Sequence, residues 1–167
     1  MRNRQKGFSL IELLVVVAII MIIAAIAIPN LLRSKMAANE SSAVGSLRTI
    51  NTAELTYATA YPNVGYSVDL PSLAGIPATC ATTATSAASC LVDDVLANAT
   101  AAPTAKSGYF FTYNLNGAAG GINTAYTLEA SPANAGTTGQ RYFFTDQTGV
   151  IRYGLTGVAD TTSSAIQ

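Results

Sequence analysis

Apolar and polar positions change their spacing several times along the chain. From Leu13 to Leu32 (LLVVVAIIMIIAAIAIPNLL) twenty residues run without a charge, and fourteen of them are Leu, Ile, Val or Met. From Arg33 to Tyr61 the pattern turns amphipathic. Val44, Leu47, Ile50, Leu55 and Tyr57 fall near helical spacing, and Glu40, Arg48 and Glu54 are assigned to the outer face. No proline interrupts residues 30–61, and Pro62 with Asn63 ends the pattern. One helix from Phe8 to Tyr61, 54 residues long, would measure about 80 Å. Gly45 and the threonines weaken its second half, so packing must hold that half in place.

Residues 62–107 read as an irregular connection, broken by Pro62, Gly65, Pro71, Gly75, Pro77 and Pro103. Within it, Leu91–Ala97 could form a helical turn. Four strands are predicted over 108–155: Gly108–Leu115, Thr124–Ala130, Arg141–Thr145 and Val150–Leu155. Asp146 and Gly149 suit a type I hairpin turn between the last two. Thr156–Gln167 reads as an exposed polar tail. The expected fold is α+β and ladle-shaped, with a long N-terminal helix packed on an antiparallel meander of about four strands. One sheet face, carrying Tyr109, Phe111 and Tyr113 or their alternates, is expected to bury against Leu47, Ile50 and Tyr57.

The apolar run decides where the first half of the helix resides. At about 1.5–3 kcal/mol for each large aliphatic side chain, exposing the set to water costs on the order of 20–40 kcal/mol. A domain's net stability is only about 5–15 kcal/mol. The segment therefore belongs in lipid, or in protein that replaces lipid, and twenty helical residues span about 30 Å, one hydrocarbon core. A plain anchor, or a signal peptide cut after Ala25-Ile26-Ala27, would account for the length. Neither accounts for Glu12, since a carboxylate at the head of a membrane segment is costly and points to function.

The stretch Lys6-Gly7-Phe8-Ser9-Leu10-Ile11-Glu12-Leu13-Leu14-Val15 resembles the amino terminus of type IV pilins and pseudopilins. The likeness covers residues 1–35: a short basic leader, a Gly-Phe junction, a glutamate four residues on, and a long aliphatic helix with a proline. Ser9 stands where the family often has threonine. The resemblance implies that a prepilin peptidase removes leader 1–7 between Gly7 and Phe8, and that the new Phe8 amine is methylated. It also implies a structural, non-enzymatic subunit held in the inner membrane by 8–32, with 33–61 amphipathic, and then assembled by membrane machinery into an extracellular helical homopolymer. Such filaments serve adhesion, motility or uptake. Arg2, Arg4 and Lys6 hold the leader on the cytoplasmic side. Glu12 can pair with the Phe8 ammonium of its own chain or of a displaced neighbour, which would make the pair a register device. Pro29 removes a donor to Ala25 and invites a bend, or local melting on packing into a filament.

Charge and composition narrow the rest. Nine basic residues balance nine acidic ones, and the absence of histidine removes Ser-His-Asp and Cys-His catalysis, HExxH zinc sites and Cys2His2 fingers. A pI near 6.1 speaks against a nucleic-acid surface. Cys80 and Cys90, placed outside the cytoplasm by the anchor, are expected to close a short disulfide loop. Many pilins carry theirs nearer the C-terminus. Two cysteines do not complete a zinc site, and Asp93 with Asp94 supplies few ligands for calcium, so neither metal nor cofactor is expected. Two alternatives differ in class: a pseudopilin or minor pilin of a secretion or competence system, and a secreted soluble binding protein.

Overall fold

A computed structural model describes residues 8–75, 80, 84–101 and 103–166. Gly7 and the leader charges Arg2, Arg4 and Lys6 lie outside the described residues. Helix α1 runs from Leu10 to Ala60, 51 residues, and continues through Pro29. The chain divides into two compact units, Met1–Lys35 and Met36–Gln167.

In the first unit every large aliphatic side chain from Leu10 to Leu32 is exposed, on all sides of the helix. A helix apolar all round has no seam to bury in water. This one is long and apolar enough to cross a membrane.

The second unit builds its core from one stripe of α1. Glu40, Ala43, Leu47, Ile50, Glu54 and Tyr57 recur at alternating steps of three and four, and all are buried. The expected outward placement of Glu40 and Glu54 is therefore corrected. They occupy the apolar seam, where each finds polar partners, while Leu55 points out and is 65% exposed. On the opposite face Thr49, Thr52, Thr56 and Thr59 each donate the hydroxyl to the carbonyl four residues back. Those side-chain bonds slightly weaken a helix, so burial of Leu47, Ile50 and Tyr57, about 1.5–3 kcal/mol each, is what holds this half.

Tyr57, Tyr61, Pro62 and Gly65 turn the chain. The Tyr61 carbonyl accepts from Val64 and Gly65, and Gly65 has φ of 80°, with the Ile122 side chain 2.8 Å from where a Cβ would sit. The connection is more ordered than its composition predicts. A 3-10 turn, Pro71–Leu73, pins Leu70 and Leu73 in the core. A helical turn, Asp94–Ala97, is capped by the Asp93 carboxylate accepting from Leu96 N–H.

The sheet is an antiparallel meander of five strands in the order β1-β4-β5-β6-β7. These are β1 Tyr109–Leu115, β4 Tyr126–Pro132, β5 Tyr142–Asp146, β6 Arg152–Gly154 and β7 Ser164–Ala165, while β2 Ala118–Ala119 and β3 Ile122–Asn123 form a separate hairpin. The register pairs Phe111 with Ala130 and Tyr113 with Leu128, then Ala130 with Phe143. One face thus carries the residues that join the helix stripe in the core. In β4 strict alternation buries Tyr126, Leu128, Ala130 and Pro132. The Asp146–Gly149 turn closes as predicted, with Gly149 N–H donating to the Asp146 carbonyl at 2.9 Å. The polar tail is largely exposed, with Ala159 buried, and it also forms structure that its composition does not predict. Its Asp160 carboxylate gathers the amides of Thr162 and Ser163, Arg152 donates to the Ser163 carbonyl, and Ile166 N–H donates to Ile151. Those bonds turn Ser164–Ala165 into a fifth strand.

Candidate assembly site

The first turn of α1 sets the site. Glu12 accepts from the backbone N–H of Ser9 at 2.9 Å, and Leu13 N–H closes on the Ser9 carbonyl at 3.3 Å. Ser9-Leu10-Ile11-Glu12 is the spacing of a capping box, and the glutamate half of that box is made. A carboxylate here satisfies one of the four amides a helix start leaves free and sits at the positive end of the helix dipole. The sequence carries this signal in the form of Ser followed three residues later by Glu, just before an apolar run. Phe8 is 83% exposed, and Phe8, Ile11, Glu12, Val15 and Val16 line one shallow, largely apolar groove. The structure brings Phe8 and Glu12 within one turn of each other, and sets Pro29 about five turns further along α1.

Cys80 and Cys90 form the disulfide, with Cα atoms 5.7 Å apart. It lies in the second unit, against Gly75, whose lack of a side chain leaves room for both sulfurs. Cys90 has φ of 60°, and its N–H donates to the Ala74 carbonyl at 3.2 Å.

Two polar centres in the second unit were missed in sequence. The Glu40 carboxylate accepts from Gln140 N–H at 2.9 Å, Arg141 N–H at 3.2 Å and Arg141 Nε at 2.7 Å. Burial by itself would raise its pKa, but these donors and the Arg141 charge together hold it below the ordinary value. Arg141 lies over the rings of Phe143 and Tyr153, 5.9 and 5.7 Å from their centroids. At the far end of the stripe, Glu54 Oε2 accepts from Ser67 N–H at 3.0 Å, and Glu54 Oε1 shares a hydrogen bond with Ser67 Oγ at 2.5 Å. Burial raises its pKa. Asp93 pairs with Lys106 at 2.9 Å. Among the described residues no three His, Cys, Asp or Glu side chains gather as metal ligands would.

Residues 2–28 match the prokaryotic N-terminal methylation motif. A type IV major pilin protein of Myxococcus xanthus is 46% identical over 54 residues, 32% of this chain and 24% of that protein. A type IV wide pilus major component of Thermus thermophilus is 61% identical over 41 residues, 25% of this chain and 30% of that protein. A type IV major fimbrial protein of Dichelobacter nodosus is 50% identical over 52 residues, 29% and 33% of the two chains. By this motif and these relatives, the amino-terminal segment of the chain is similar to that of type IV major pilins. The matches span a quarter to a third of those pilins' own length, and no solved structure matches the chain. The pilin likeness therefore rests on a segment that includes Phe8, Ser9 and Glu12, the residues the first helical turn gathers.

Proposed function

We propose that the chain is the structural subunit of a type IV pilus filament, without a catalytic role. The leader is cut between Gly7 and Phe8 by a prepilin peptidase, the Phe8 amine is methylated, and α1 stores the subunit in the inner membrane until assembly machinery draws it into an extracellular fibre. The observation that carries this reading is the first half of α1: exposed apolar side chains on every face, with a single carboxylate, Glu12, at its head. Only lipid or other copies of the same helix supply a suitable surround for such a surface.

Cleavage changes the electrostatics at the site. Before it, Phe8 contributes a peptide nitrogen; after it, an ammonium group one turn from Glu12. In lipid or in a helix bundle each of these charges needs a partner. A neighbouring copy displaced along the fibre can supply one, so correct register is rewarded by avoiding two unpaired buried charges. Pro29 has no amide to give Ala25, and in the fibre this is where α1 yields by bending or unwinding.

Sheared surface fibres and intact mass test the proposal together. Fibres containing this chain, starting at Phe8 and heavier by one methyl (about 14 Da), are expected. Plentiful fibres that lack the chain would leave it as a pseudopilin or minor component. A mature chain starting at Ile28 would instead identify a secreted protein.

A further inference from the structure

Glu54 is fully buried, yet among the described residues no cation meets it. Among the described residues, the titratable groups that face it are Tyr57 on α1, Tyr113 on β1 and Tyr126 on β4, and every one is an acid. Its partner is Ser67, whose Oγ lies 2.5 Å from Glu54 Oε1 and 3.0 Å from the Asp69 carbonyl. Tyr113 OH donates to the Ser67 carbonyl at 2.9 Å. Ser67 Oγ carries one hydrogen and faces these two acceptors, Glu54 Oε1 and the Asp69 carbonyl, with Tyr113 OH more distant at 3.5 Å. With an ionised carboxylate one of the two nearer acceptors therefore goes without. A proton on Oε1 resolves this. Oε1–H donates to Ser67 Oγ, Ser67 Oγ–H donates to the Asp69 carbonyl, and Ser67 N–H still donates to Oε2.

We propose that Glu54 is a proton-operated latch, which in its neutral form fastens the Ser67–Leu73 connection to α1 and on ionisation lets it loosen. The relay extends outward. Asp69 accepts from Ser72 N–H at 2.9 Å, the Ser72 carbonyl accepts from Ser89 N–H, and Cys90 follows directly with its disulfide. Release at Ser67 therefore reaches the edge of the disulfide loop. Because burial raises the folded-state pKa of Glu54, its contribution is fully present below the ordinary glutamate range and is lost as pH rises through the raised value. This device does not depend on the chain forming fibres.

The full chain, in detergent micelles with carboxyl-labelled glutamate, tests the latch. The Glu54 carbon signal should titrate above the ordinary glutamate range. Over the same interval the amides of Ser67–Leu73 should lose protection against hydrogen exchange, after correction for base catalysis, by up to about tenfold per pH unit. Glu54→Gln should abolish that pH dependence. The latch is overturned by a Glu54 signal that titrates in the ordinary range, or by protection that does not follow its titration. The same holds if the pH dependence survives in Glu54→Gln. Where that variant does not fold, the wild-type carbon titration and exchange profile decide alone.

Discussion

Glu40 and Glu54 sit on the same inward stripe of α1 and do opposite work. Glu54 is met by a hydroxyl and one amide, so neutrality suits it. Glu40 is met by two backbone amides and a guanidinium, so charge suits it. Its side chain is 9% exposed against 41% for Arg141, which keeps the pair from being a surface contact of negligible worth. Glu40→Ala leaves two inward amides without an acceptor and should cost the folded second unit about 3 kcal/mol at neutral pH. Glu40→Gln keeps an acceptor for the amides but turns a donor toward Arg141 Nε, and about 1–2 kcal/mol is expected. With the folded-state pKa below the ordinary 4.5, wild-type stabilisation is present above that value and fades as pH falls through the lower one. Urea unfolding of the full chain in detergent should therefore show a gap between wild type and Glu40→Gln at pH 7 that narrows at pH 3. A gap independent of pH contradicts the assigned charge state.

At the scale of elements, the sequence is most legible where periodicity is long. The alternation of β1 and β4 and the Asp146–Gly149 turn were readable because each strand has one buried face. Strand β7 was not readable. Ser164 and Ala165 carry no alternation, and the bonds that make them a strand come from Arg152 and Ile151. The burial of Glu40 and Glu54 was half readable. Their three-and-four spacing with Ala43, Leu47, Ile50 and Tyr57 was an inward signal, but their charge assigned them to the outer face, and Arg141, which makes burial of Glu40 tolerable, lies 101 residues away. The disulfide was readable as a pair, not in its setting. Tyr57 OH donates to the Ser86 carbonyl at 2.6 Å, and Cys90 N–H bonds Ala74, so the loop has native anchors besides its sulfurs. Replacing both cysteines by serine should therefore act mainly on the unfolded chain. A loss of about 2–3 kcal/mol is expected for a ten-residue separation, with the fold retained. Thermal unfolding checks the loss, and the exchange protection of Leu91 and Val92, both bonded to Leu73, checks the retention. Collapse of that protection would make the disulfide the anchor of the connection.

At the scale of the whole molecule, the two units solve different problems. Met36–Gln167 builds an apolar core of its own, and among the described residues no buried side-chain nitrogen or oxygen lacks a partner. Among the described residues, Met1–Lys35 buries none of its large aliphatic side chains, and on the proposed function lipid or other copies complete it. Passing from lipid to protein neighbours changes apolar burial little, so the hydrophobic effect alone does not drive or align such a transfer. Alignment must come from groups that lipid and protein treat differently, and Glu12 with the Phe8 ammonium is the candidate pair. On the proposed function, each processed copy would bring one ammonium and one carboxylate, so the interior of a fibre would be balanced whichever neighbours pair. Glu12→Ala removes the carboxylate and leaves one unpaired cation per copy, at a cost of several kcal/mol. The variant should insert and be cleaved at Phe8, because neither step uses that balance, and should form few fibres on its own. In cells that also make the wild-type chain, the number of unpaired cations equals the number of variant copies incorporated. Fibre yield should then fall steadily with the variant fraction, and sheared fibres should hold less of the variant than the membrane pool does. Equal fractions in fibre and membrane, measured by intact mass, would remove the pairing from the account of assembly and leave Glu12 only its bond to the Ser9 amide.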